Sequence, residues 1–138
     1  MLDEKMLVIP ERPGNRRIDS LLNILETGSV GLLFMIPGFE ETLRVNGRAS
    51  VVRDADLLGR MAVRGKRPVV AIGVEVEECV LHCAKAFKRS KIWDTEGWPE
   101  RSALPSLGSM FRDQGAMPGA SAEELEDRIE ESYAKRLC

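Results

Sequence analysis

Three arginines and a Pro-Gly turn, in the stretch Glu11-Arg12-Pro13-Gly14-Asn15-Arg16-Arg17, stand where an amphipathic helix is expected to begin. Ile18, Leu21, Leu22 and Leu25 follow at spacings of three, four and seven, which lines one helix face with apolar side chains. Asn15 is a favoured cap residue and Gly28 a stop. Arg16 and Arg17 then fall in the first turn, where the positive end of the helix opposes each by roughly a few tenths of a kcal/mol. An anion resolves the conflict, since a phosphate held by backbone amides and guanidinium groups suits both the helix end and the arginine fork. Solvation of the arginines, or pairing with Glu11, Asp19 and other acidic neighbours, is the other reading, and the cluster alone leaves both open.

Cys79, His82 and Cys83 invite a metal reading, but they lack a second pair of ligands and do not match common zinc spacings. Buried structural cysteines are expected instead. With Cys138 the cysteines number 3, an odd count that makes no disulfide framework and agrees with a reducing compartment. The single histidine, His82, stands at a strand-to-helix junction and is expected to be structural. No side chain presents itself as a catalytic acid or base.

The balance of 20 basic against 22 acidic side chains leaves no net field to draw nucleic acid or an anionic membrane, so any anion site must be local. A chain of 138 residues makes one domain with a sizeable core. No segment approaches the roughly 20 apolar residues of a membrane span, and the acidic start Met1-Leu2-Asp3-Glu4-Lys5 is not a signal peptide. A cytoplasmic protein that binds neither nucleic acid nor membrane is the expectation.

The elements that must hold the arginine cluster follow from the apolar pattern. Lys5 to Pro10 reads as a short strand, and Val30 to Ile36 as a strand buried on both faces, ended by Pro37-Gly38. From Glu41 to Arg53 the residues alternate, with Leu43, Val45, Gly47, Ala49 and Val51 inward and Thr42, Arg44, Asn46, Arg48 and Ser50 outward. Asp54 caps a short helix through Leu57, Leu58 and Met61. Val69 to Leu81 is the longest strand, a central one with Val70, Ile72, Val74, Val76 and Val80 inward, and a helix from near His82 to about Lys91 follows it. Beyond Trp93 the chain reads as irregular until Ser121-Ala122-Glu123-Glu124, a capping box, opens a last helix to about Arg136. Too few crossover helices are present for a doubly wound parallel sheet, so a mainly β, antiparallel barrel with peripheral helices fits better. About four strands do not close a barrel alone.

Three stretches carry a resemblance to the pyridoxamine 5'-phosphate oxidase-like flavoproteins, the split-barrel family that binds FMN between two subunits. They are Ile9-Pro10-Glu11-Arg12-Pro13-Gly14-Asn15-Arg16-Arg17 with Asp19-Ser20-Leu21, then Glu41 to Ala49, then His82-Cys83-Ala84-Lys85-Ala86 with Arg89-Ser90 and Trp93. Together they span about residues 5 to 113, and Ile129-Glu130-Glu131-Ser132-Tyr133 resembles the tail of one bacterial branch. The resemblance implies an antiparallel split barrel over 1–120, lacking the N-terminal strands of its relatives, with a C-terminal helix over 121–138. It places the FMN phosphate at Asn15, Arg16 and Arg17, and the isoalloxazine ring along the strand end at Ile9 and Pro10. Thr42 corresponds to the position from which the second subunit touches the flavin, and Arg44 follows it on the polar face. Lys85, Arg89, Ser90 and Trp93 lie where the branch presents groups to flavin or substrate.

A homodimeric FMN-dependent oxidoreductase acting on a small-molecule substrate is the implied function, with the flavin carrying the redox chemistry. Oxidation of pyridoxamine phosphate itself does not follow from the fold. A cofactor-free split-barrel dimer with a binding or structural role is the alternative, and the arginine cluster argues against it.

Overall fold

The computed structural model describes residues 3–14, 17–115 and 117–135. The chain forms two compact units, Met1–Thr95 and Glu96–Cys138. The first is built on one antiparallel sheet of β1 (Met6–Pro10), β2 (Ser29–Phe34), β3 (Thr42–Val52) and β4 (Ala71–His82), in the order β1-β4-β3-β2. Helices α1 (Asp19–Thr27), α2 (Ala55–Arg60) and α3 (Lys85–Ser90) connect or follow the strands. The second unit holds α4 (Leu107–Asp113) and α5 (Ala122–Lys135). The fold is therefore mixed α and β, not mainly β, and the sheet is open, with β1 and β2 as its edges among the described residues.

β4 is the central strand its length suggested, paired on both sides, and Val74 is fully covered between its neighbours. β3 meets it through eleven register pairs with one irregularity, between Asn46 and Gly47, where Asn46 faces Glu78 but Gly47 faces Val76. Glu77 is the extra residue of this bulge, and a bulge bends and twists the strands locally. A side chain cannot fit there, because a Cβ on Gly47 would lie 2.1 Å from the Glu75 carbonyl oxygen. Beyond the bulge β4 loses its cover, and Val80, expected inward, is exposed with Leu81 beside it. The alternation of β3 holds from Val45 onward but inverts at its start, where Thr42 is buried and Leu43 exposed.

β2 is not buried on both faces. It pairs with β3 alone, and Leu33 and Phe34 are exposed, as are Met35, Ile36 and Phe39 in the loop beyond it. A continuous apolar run says that both faces resist water, not that this chain supplies both covers.

α1 begins at Asp19, after both predicted first-turn arginines. Ile18 is its N-cap without a side-chain hydrogen bond, and Asp19 supplies the favourable negative charge of the first turn. Asn15 and Arg16, the predicted cap and one first-turn arginine, lie outside the described residues. Gly28 ends the helix as expected, in the left-handed conformation with its N–H on the Ile24 carbonyl. The helix buries Ile24, while Ile18, Leu22 and Leu25 of the predicted apolar face are exposed, Leu25 by 68%. Asp54 caps α2 as the sequence indicated, accepting from the Leu57 N–H at 2.8 Å.

In the second unit the capping box is realised in both directions. The Ser121 N–H donates to Glu124 Oε2 at 2.9 Å and the Glu124 N–H to Ser121 Oγ at 3.1 Å. α4 falls in the stretch expected to be irregular. Ser106 caps it, and Glu126 on α5 accepts from the Gly108 N–H at 2.6 Å. That backbone bond, with one from Ser106, holds the Glu126 carboxyl below its usual range. Cys79 and Cys83 are exposed, not buried, because the far half of β4 has no layer over it.

Candidate functional site

Where β1 ends and α1 begins, the chain encloses an open cleft of about 820 Å³. Its walls include Ile9 and Pro10 from β1, the Pro13-Gly14 turn, Arg17 and Ile18 before α1, and Val69, Val70 and Ile72 from β4 and the residues before it. A cleft of this size suits a cofactor-sized ligand. Ile9, Pro10 and Arg17, three of the residues singled out from the sequence, are gathered here.

The hydrogen-bond phase of β1 determines what this wall offers. Lys5 O accepts from the Val76 N–H at 2.8 Å, and the Glu11 N–H donates to Val70 O at 3.1 Å. Antiparallel pairing alternates, so the odd-numbered residues between them direct their amides and carbonyls to β4. Ile9 therefore contributes its side chain, whereas Val8 and Pro10 turn their carbonyls to the open edge. Pro10 has no N–H to lose there and suits an edge strand. The result is an apolar wall with a carbonyl acceptor at its rim, a surface that accommodates a flat ring bearing an imide N–H.

Arg17 pairs with Asp19 at 2.8 Å, as the competing reading of the cluster anticipated. The two side chains are 74% and 61% exposed, and such a pair is worth about 0–1 kcal/mol. A phosphate accepting bidentate, charge-assisted bonds from the guanidinium outweighs that. Arg12 is committed differently, with Nη2 donating to the Met61 carbonyl at 2.7 Å.

The remaining candidates lie elsewhere. Ile9 is in register with Ile72, which faces Val51, while Thr42 faces His82 at the other end of the sheet. The nine-residue step from Thr42 to Val51 along β3 spans about 30 Å, longer than a flavin mononucleotide. One chain does not bring both groups to one ligand. At the far end Thr42 is only 6% exposed, so Arg44 is the candidate of the pair that reaches the surface. Trp93 Nε1 donates to the Phe39 carbonyl at 2.9 Å and stacks obliquely on Phe87, 5.8 Å between centroids. Ser90 Oγ donates to Phe87 O at 3.2 Å, and Lys88 pairs with Glu40. Lys85 and Arg89 are exposed on α3. Trp93 and Lys88 thus hold α3 and the residues after it to the loop before β3, while Ser90 is engaged within α3, roles their spacing did not reveal.

Among the described residues no group of three or more His, Cys, Asp or Glu side chains is placed to hold a metal ion. Nor is any helix among them long and apolar enough to cross a membrane.

The open antiparallel sheet thus carries, at one strand end, a cleft walled by apolar residues and by Arg12 and Arg17, with room for a small ligand. The family model for pyridoxamine 5'-phosphate oxidase matches residues 1–83, more than half of the chain, and the chain belongs to that family. The match covers Ile9, Pro10, Asn15, Arg16, Arg17, Thr42 and Arg44, and it ends before α3. No curated protein and no solved structure matches the chain.

Proposed function

We propose that the protein binds FMN in the cleft between β1 and α1 and acts as an FMN-dependent oxidoreductase on a small-molecule substrate. The observation that carries this reading is the convergence of Ile9, Pro10 and Arg17 on one cleft in a chain of the pyridoxamine 5'-phosphate oxidase family. Arg17, with Asn15 and Arg16, is assigned the phosphate. Ile9 supplies the apolar wall and Pro10 the carbonyl for the isoalloxazine ring. The bound flavin supplies the redox chemistry; the chain's own residues bind it, orient it and screen one face from water.

The site is completed by a second copy. The separation of about 30 Å between the two candidate groups supports this arrangement, in which Arg44 of one copy approaches the flavin held by the other. The exposed apolar surface of β2 and α1 supports it too, since Leu33, Phe34, Leu22 and Leu25 lie uncovered among the described residues.

Titration with FMN, followed by quenching of flavin fluorescence and by the absorbance bands, tests the proposal. Saturation at one flavin per chain, with riboflavin bound much more weakly, is expected. Absence of binding at high FMN overturns it and favours the cofactor-free dimer.

A further inference from the structure

Arg12 lines the same cleft as Arg17 but commits its guanidinium elsewhere. Its guanidinium is half-buried, and Nη2 donates to the Met61 carbonyl at 2.7 Å. Met61 is the C-cap of α2, where carbonyls lack intrahelical partners and the helix end is negative, so a guanidinium there satisfies both the hydrogen bond and the dipole. One residue earlier, the Glu11 N–H donates to Val70 O at 3.1 Å. Successive residues of the segment entering the cleft are thus fastened to the two ends of the stretch 61–70. That stretch is itself closed by a tight turn, with Val63 and Lys66 exchanging both backbone bonds at 3.0 and 2.9 Å. Pro13 follows Arg12 directly, and its fixed φ passes the direction set at Arg12 on to Gly14. Arg12, Pro13, Gly14 and Arg17 all wall the cleft.

We infer that Arg12 is a positioning residue for anion binding in this cleft: it spends its charge on the end of α2 and thereby fixes the Pro13-Gly14 turn of the cleft wall, without itself touching the phosphate. The inference rests on the flavin reading above. Misplacement of a binding group by about 1 Å is costly even when the substituted residue lies off the ligand. On the flavin reading the ring lies along β1, ahead of this anchor, so the ring should depend on Arg12 far less than the phosphate does.

The test compares FMN with riboflavin, which differ only in the phosphate, on the full chain carrying Arg12→Met or Arg12→Lys. Arg12→Met is expected to weaken FMN about tenfold while riboflavin affinity holds within about twofold. Arg12→Lys keeps a cationic donor for the Met61 carbonyl and is expected to recover most of the loss. The ionic-strength dependence of FMN binding should stay as in the unsubstituted protein, because the charges that face the phosphate are unchanged. Equal losses for both flavins would make Arg12 merely structural, and a flattened salt dependence would make it a direct phosphate ligand; either overturns the inference, as does unchanged FMN affinity. Failure of the unsubstituted protein to bind FMN overturns the flavin reading and this inference with it.

Discussion

The two ends of the sheet differ in how their polar groups are used. At the β1 end, Pro10 turns a carbonyl to an open edge and Arg17 makes an exposed pair with Asp19, both on the wall of the cleft. At the opposite end, Trp93, Ser90 and Lys88 are engaged with Phe39, Phe87 and Glu40, and Thr42 is buried. One end lines a cleft and the other ties down its own loop. Residues that look equally functional by type thus divide by where the fold places them.

The largest effect should come from breaking the sheet between the two ends. Gly47→Ala puts a Cβ 2.1 Å from the Glu75 carbonyl oxygen, and backbone cannot yield cheaply, so a loss of about 3 kcal/mol in urea unfolding is expected. Next, Arg17→Glu should lower FMN affinity by about 10- to 100-fold, the scale of one lost charge-assisted hydrogen bond, and leave the midpoint of thermal unfolding nearly unchanged. The reverse pattern is expected at the tethered end. Trp93→Phe removes the bond to the Phe39 carbonyl but keeps an aromatic ring against Phe87, and should cost about 1 kcal/mol of stability.

The smallest effect concerns pH. The hydrogen bond and charge of Glu40 raise the Lys88 ammonium above its usual value, so its folded form binds the proton more tightly than its unfolded form. The stability this contributes is full below the ordinary lysine range and is lost as pH rises through the raised folded value. Lys88→Met should flatten the alkaline limb of the stability profile and lower its level at neutral pH by the contribution the pair makes there. An alkaline limb that persists would show that the Glu40 pairing has no part in it.

Local signals written in the sequence were legible. The Ser121 capping box, the Asp54 cap and the Gly28 stop each involve neighbours within four residues, and each is realised. What failed depended on partners distant in the chain. The run Val30–Ile36 shows apolarity but not who covers it, and Cys79 and Cys83 were expected inside because nothing local says that the far half of β4 is bare. α4 was missed although Ser106 stands at its cap, since Pro105 and the glycines around it masked a helix of seven residues. Of the candidate site residues, Ile9 and Pro10 come from the family resemblance and Arg17 from its place before α1, and the structure gathers the three on one cleft. The inversion at Thr42 and Leu43 and the service of Trp93 to Phe39 were not legible, because both are set by packing at the mouth of β3.

The central claim is that one flavin takes its contacts from opposite sheet ends of two copies. Mixing two variants, Arg17→Glu and Arg44→Glu, tests it most directly. Each alone should bind FMN poorly. After subunit exchange of an equal mixture, the mixed dimers carry one site with both arginines intact, and about a quarter of all sites should regain FMN at the affinity of the unsubstituted protein. No recovery on mixing, or an Arg44→Glu variant that binds FMN as tightly as the unsubstituted chain, would contradict a site shared in this way.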